Sequence, residues 1–101
     1  MAQKNLGRQL LDTLTDVTDL INDTTDANRL KELADARAAL LKEIGRLVDA
    51  SIDEESKEYS KATEGLKAAS AMIKQSLKGM ESIANAIDTL AAAVTLVAKV
   101  A

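Results

Sequence analysis

The sequence predicts an all-α protein, an antiparallel helical bundle with up-down topology, and three observations carry that prediction. The 101 residues contain no proline, the strongest helix breaker. Apolar residues make up 47% of the chain, yet Tyr59 is the sole aromatic, so a core must be built from Leu, Ile, Val, Met and Ala, which interdigitate well between helices. Those residues recur at steps of three and four along most of the chain, the spacing of one helix face. The length suits one core, so residues 1–101 read as a single helical-bundle domain.

A first helix is predicted from about Gln3 to Ile21. Leu6, Leu10, Leu14, Val17 and Ile21 form its apolar stripe, and Asp12, Asp16, Asp19, Asp23 and Asp26 follow the same rhythm on the opposite side. A calcium loop would need acidic residues at alternate positions followed by a glycine and a bidentate Glu. Steps of three and four instead spread the carboxylates along a line, so the stripe reads as a solvated face. The cluster NDTTD, 22–26, is turn chemistry, and Thr25 or Asp26 can cap the next helix.

The second helix is expected over 27–50, with Leu30, Leu33, Leu40, Leu41, Ile44, Leu47 and Val48 at helical spacing. Leu30, Leu33, Leu41, Ile44 and Val48 share a face, and Arg37 falls near the middle of it. A charge there must snorkel out or find a partner, because an unpaired buried charge costs several kcal/mol. In a hairpin pivoting near residue 24, position 37 lies level with residue 11, so Asp12 or Gln9 could reach it; on the third helix, Glu64 or Ser70 would be level. A structural ion pair of Arg37 with Asp12, fixing helix register, is the expectation. Gripping an acidic group of a partner is the alternative.

Ser51-Ile52-Asp53-Glu54 has the capping-box pattern, which predicts the start of the third helix, with Ile52 closing the end of the core. Beyond it, Tyr59, Leu66, Ile73, Met80, Ile87 and Val94 fall every seven residues. Ala62, Ala69, Ser76, Ile83, Leu90 and Val97 fill the alternate positions. Such a heptad means a supercoil or nearly parallel helix axes. Two architectures follow. The heptad can run through Gly79 as one long coiled-coil-like third helix. Alternatively, Lys78 and Gly79 act as a stop signal, and residues 82–100 return as a fourth helix. The four-helix version is preferred.

The residue types bear on function by exclusion. Without His or Cys, the usual general base and the thiol nucleophile are missing. Carboxylate metal sites in helical bundles use Glu-x-x-His, which cannot occur here. Gly7, Gly45, Gly65 and Gly79 are scattered singly, so there is no phosphate loop. No catalytic residue, metal, cofactor or small-molecule substrate is expected. The 13 basic and 16 acidic residues are interspersed, giving net charge −3, so nucleic-acid binding is not expected. The N-terminal MAQKNLGRQLLD lacks the apolar segment of a secretory signal, and TLAAAVTLVA, 89–98, spans about 15 Å, half a bilayer. A cytoplasmic location is the expectation.

The most informative stretch is the last. From Leu90 to Ala101, ten of twelve residues are apolar and circle the helix. A helix apolar all round is buried all round, and three other helices of this length cover only part of it. The leading expectation is therefore a non-catalytic interaction or assembly module, a homo-oligomer or binder of a helical partner, acting through Ile83, Ile87, Leu90, Val94 and Val97. One alternative is a membrane-active protein that releases the apolar last helix at a bilayer. Another is a small acidic inhibitor, antitoxin-like, that binds a basic partner with the aspartate stripe.

Overall fold

The computed structural model describes residues 6–100. It contains four helices: α1 (Leu6–Asp23), α2 (Ala27–Val48), α3 (Lys57–Leu77) and α4 (Ile83–Ala98). The chain direction alternates up and down as expected. The start of the first helix at Gln3 lies outside the described residues.

The order of helices around the bundle is α1, α2, α4, α3. α1 packs on α2 and α3, and α4 packs on α2 and α3, leaving α1/α4 and α2/α3 as the diagonals. Consequently two neighbouring pairs run parallel. Leu6 meets Tyr59, Thr13 meets Leu66 and Asp16 meets Ser70, so α1 and α3 advance together. Arg46 of α2 likewise reaches Val97 and Val100 at the end of α4.

The diagonal explains where α3 begins. Neighbouring axes in a bundle lie about 8–10 Å apart, which puts diagonal axes about 13 Å apart, so this crossing is longer than the three-residue turn, 24–26, that joins the neighbours α1 and α2. The connection occupies 49–56, and the cap is Ser56, whose Oγ accepts from the Tyr59 N–H at 3.1 Å. The capping-box reading at Ser51 is thus displaced by five residues. Ile52 nonetheless packs against the end of the core as expected.

Gly79 ends α3. Its φ is +75°; the Met80 N–H donates to the Gln75 carbonyl at 2.8 Å and the Gly79 N–H to that of Ser76 at 3.0 Å. This is the paired Schellman closure, which needs a left-handed residue at this point. The heptad seam is therefore folded back on itself. Tyr59, Ala62, Leu66, Ala69 and Ile73 are buried on α3, and Ile87, Leu90 and Val97 meet them from α4. Met80, at the turn, is 71% exposed. Gly65 lets these helices approach: a Cβ there would stand 2.7 Å from Leu96 Cδ1.

Two polar groups are drawn into the core, the Tyr59 hydroxyl and the Asp16 carboxylate of the acidic stripe. Tyr59 is buried, and its hydroxyl accepts from the Leu6 N–H at 2.7 Å, closing the start of α1. Asp16 is only 8% exposed. It leaves the acidic face because α1 packs on α3 as well as α2, which rotates the buried stripe toward Thr13, Asp16 and Leu20. Ser70 Oγ donates to Asp16 Oδ2 at 2.7 Å, Thr13 Oγ1 lies 3.3 Å from Ser70 Oγ, and Lys74 Nζ stands 3.9 Å from the carboxylate. A polar layer thus joins the two parallel helices. Asp12, Asp19, Asp23 and Asp26 do face outward. Asp26 also caps α2, accepting from the Asn28 and Arg29 N–H groups.

Candidate interaction surface

α2 has two apolar faces. Leu33, Leu40 and Leu47 point into the core, with Ala36 and Ile44 beside them. The stripe expected to be buried through Leu41 and Val48 is rotated away from it. Leu41 is 43% and Val48 72% exposed. With Ala27, Ala34, Ala38 and Gly45, all exposed, they form a second seam on the back of the helix. Where an amphipathic helix normally carries charge, this seam carries methyl and methylene groups, interrupted only by Lys31.

The seam continues onto α1. Leu11 is 57% exposed and lines a groove of about 290 Å³ together with Gly7, Ile44, Leu47, Val48 and Ile52. Glu54 and the ring of Tyr59 complete its end. Among the described residues, three of the four large apolar side chains that remain exposed, Leu11, Leu41 and Val48, share this one face; Met80 is the fourth.

Arg37 lies at the border of the seam. Its Nε donates to Thr18 Oγ1 at 3.1 Å, and no ion pair joins it to Asp12. The hairpin register differs from the expected one by about two turns, placing position 37 level with residue 18. Arg46 does the bridging that Arg37 was expected to do. Its Nη1 and Nη2 donate to the carbonyls of Val100 and Val97 at 2.9 and 3.0 Å, and its Nε to Glu43 at 2.7 Å. All three guanidinium nitrogens donate, and the C-terminal carbonyls of α4 are tied to α2.

The residues expected to bind a partner are divided. Leu90 and Val97 are fully buried, Ile87 nearly so, and Ile83 and Val94 half-buried. Ile87 and Val94 line a second, shallower groove of about 370 Å³ between α2 and α4, with Ala36, Ala39 and Ala91. The outward side of α4 exposes Ala91, Ala92, Thr95 and Ala98 and no larger apolar side chain. The face that sequence reasoning missed is the back of α2. Its signal was present as the spacing of Ala34, Ala38, Leu41, Gly45 and Val48, which runs beside that of Leu33, Leu40 and Leu47.

Among the described residues no group of three or more acidic or other ligating side chains could hold a metal ion, and no helix is long and apolar enough to cross a membrane. No protein-family model, curated protein or solved structure matches the chain.

Proposed function

We propose that the chain is a non-catalytic helical assembly module that self-associates through the outer face of α1 and α2. One observation carries the reading: Leu11, Leu41 and Val48 stay exposed together on a face that α2 otherwise builds from Ala and Gly, with Lys31 its one charged member. Full burial of a large aliphatic side chain is worth roughly 1.5–3 kcal/mol, of which the 43–72% of these three left in water is still to be gained, and contiguous exposed patches of this kind mark contact surfaces. The interface is thereby moved from α4, where the apolar composition pointed, to α2, where the large side chains are free.

The test is solution mass by light scattering behind a sizing column over a concentration series. The wild-type mass is expected to rise from 10.7 kDa toward twice that value. Leu41→Asp and Val48→Asp should hold the monomer mass at the same concentrations, with unchanged helical circular dichroism. Ala91→Asp, on the outward side of α4, should associate like the wild type. A wild-type chain that stays monomeric throughout the series would end the proposal.

A further inference from the structure

We infer that the occupant of the α2 seam is the α2 helix of a second copy, running antiparallel about a two-fold axis that passes between Ala39 and Leu40. This rests on the self-association proposed above and adds its geometry. The seam positions 34, 38, 41, 45 and 48 step by four and three, the a/d spacing of a helix pair. With the axis at 39/40, Ala38 of each chain faces Leu41 of the second copy, and Ala34 faces Gly45. Lys31, whose Nζ pairs with Asp35 of its own chain at 3.3 Å, lies beside Val48 of the second copy with its stem over the valine, and the Asp35 carboxylate it holds faces Lys42 of that copy.

Charge selects this arrangement. Asp35 and Lys42 flank the seam on one side, and both are exposed. The antiparallel register brings Asp35 of each chain to within two residues of the level of Lys42 of the other, a step the long lysine side chain spans, so two opposite-charge pairs form by symmetry. A parallel pair instead sets Arg37 against Lys42, like against like.

Gly45 is the second argument. The fold gives reasons for two other glycines, Gly79 by its positive φ and Gly65 by its contact with Leu96. Gly45 lies within α2, and a Cβ there would meet nothing within 4 Å. A glycine inside a helix costs about 1 kcal/mol relative to alanine, and nothing in the monomer offsets it. Close approach of a second helix over Ala34 and Gly45 does. The size is adequate too. Two helices side by side, about 33 Å long and 20 Å wide, present about 660 Å² in projection. A stable pair needs about 800 Å² of accessible surface from each partner, which a corrugated face of that extent supplies.

Charge exchange tests the register directly. Asp35→Lys alone and Lys42→Glu alone each place like charges across the axis twice, and each should weaken association about tenfold or more. An equimolar mixture of the two variants restores both opposite-charge pairs, and its mass and dissociation constant should return to those of the wild type as a heterodimer. Gly45→Leu, with unchanged helix content, should also weaken association. If the wild type associates but neither charge variant does so more weakly, or if mixing gives no preference for the heterodimer, this geometry is wrong while self-association stands. If the wild type never associates, the underlying reading fails instead.

Discussion

Ser70 Oγ and Asp16 Oδ2 lie 2.7 Å apart across the seam between two parallel helices. Asp16 is nearly buried, and Ser70 and Thr13 are buried with it. A hydrogen bond to a charged group contributes about 1.5–3 kcal/mol, and removing one partner leaves the others unsatisfied. Asp16→Ala is therefore expected to lower unfolding free energy by about 2 kcal/mol in urea titration. Ser70→Ala should cost less, and the double variant less than the sum of the two, because they share one network. Strict additivity would show that the two groups are not coupled.

Substitution by alanine should act with opposite signs at two glycines. At Gly79, alanine must adopt a left-handed conformation, a loss of about 1–2 kcal/mol. At Gly45, alanine meets open space inside a helix and should stabilise the monomer by up to about 1 kcal/mol. Thermal melts at concentrations where the monomer dominates would check both signs.

Arg46 fastens the end of α4 to α2 through the carbonyls of Val97 and Val100. Arg46→Ala should cost about 1 kcal/mol and speed amide exchange in the last turn of α4 first. Arg46→Lys should recover little of it, because one ammonium cannot match the planar fork that reaches both carbonyls and Glu43. Full rescue by lysine would mean that charge alone matters there.

Glu81 begins the turn into α4. Its carboxyl is held below the ordinary value of 4.5 first by the Asn85 side-chain donor and then by the Ser82 N–H. A lowered folded-state value means that this contribution to stability is present above pH 4.5 and is lost as the pH falls through the lowered value. Asn85→Ala should move the Glu81 titration, followed by carbonyl NMR, back up toward 4.5. An unmoved titration would remove Asn85 as the main cause.

How legible this was depended on whether a feature was local. Gly79 was readable only as one of two outcomes, because Lys-Gly is a stop signal but one glycine inside a helix costs only about 1 kcal/mol and the heptad runs on past it; the Asp26 cap was readable because capping is local. The burial of Asp16 was not readable. On a wheel it belongs with Asp12 and Asp19, and only the second neighbour of α1 carries it inside. The diagonal crossing set three further outcomes at once: the displaced start of α3, the parallel pairing of α1 with α3, and the capping of Leu6 by Tyr59. Helix order around a bundle is a matter of whole-helix packing, which the spacing within one helix does not encode. At the candidate site the limit was ambiguity. Leu40 and Leu41, like Leu47 and Val48, are adjacent in sequence, so one of each pair had to face out. The wheel alone could not choose between them.

Self-association through the α1/α2 face is tested residue by residue with a dilution series of amide NMR spectra. Dilution should shift the amides of Leu11, Ala34, Ala38, Leu41, Gly45 and Val48 as the α1/α2 face passes from contact to water. The amides of Ala91, Ala92 and Ala98 on α4 should hold their positions. Shifts confined to α4, or none at any concentration, would rule out this face as the interface.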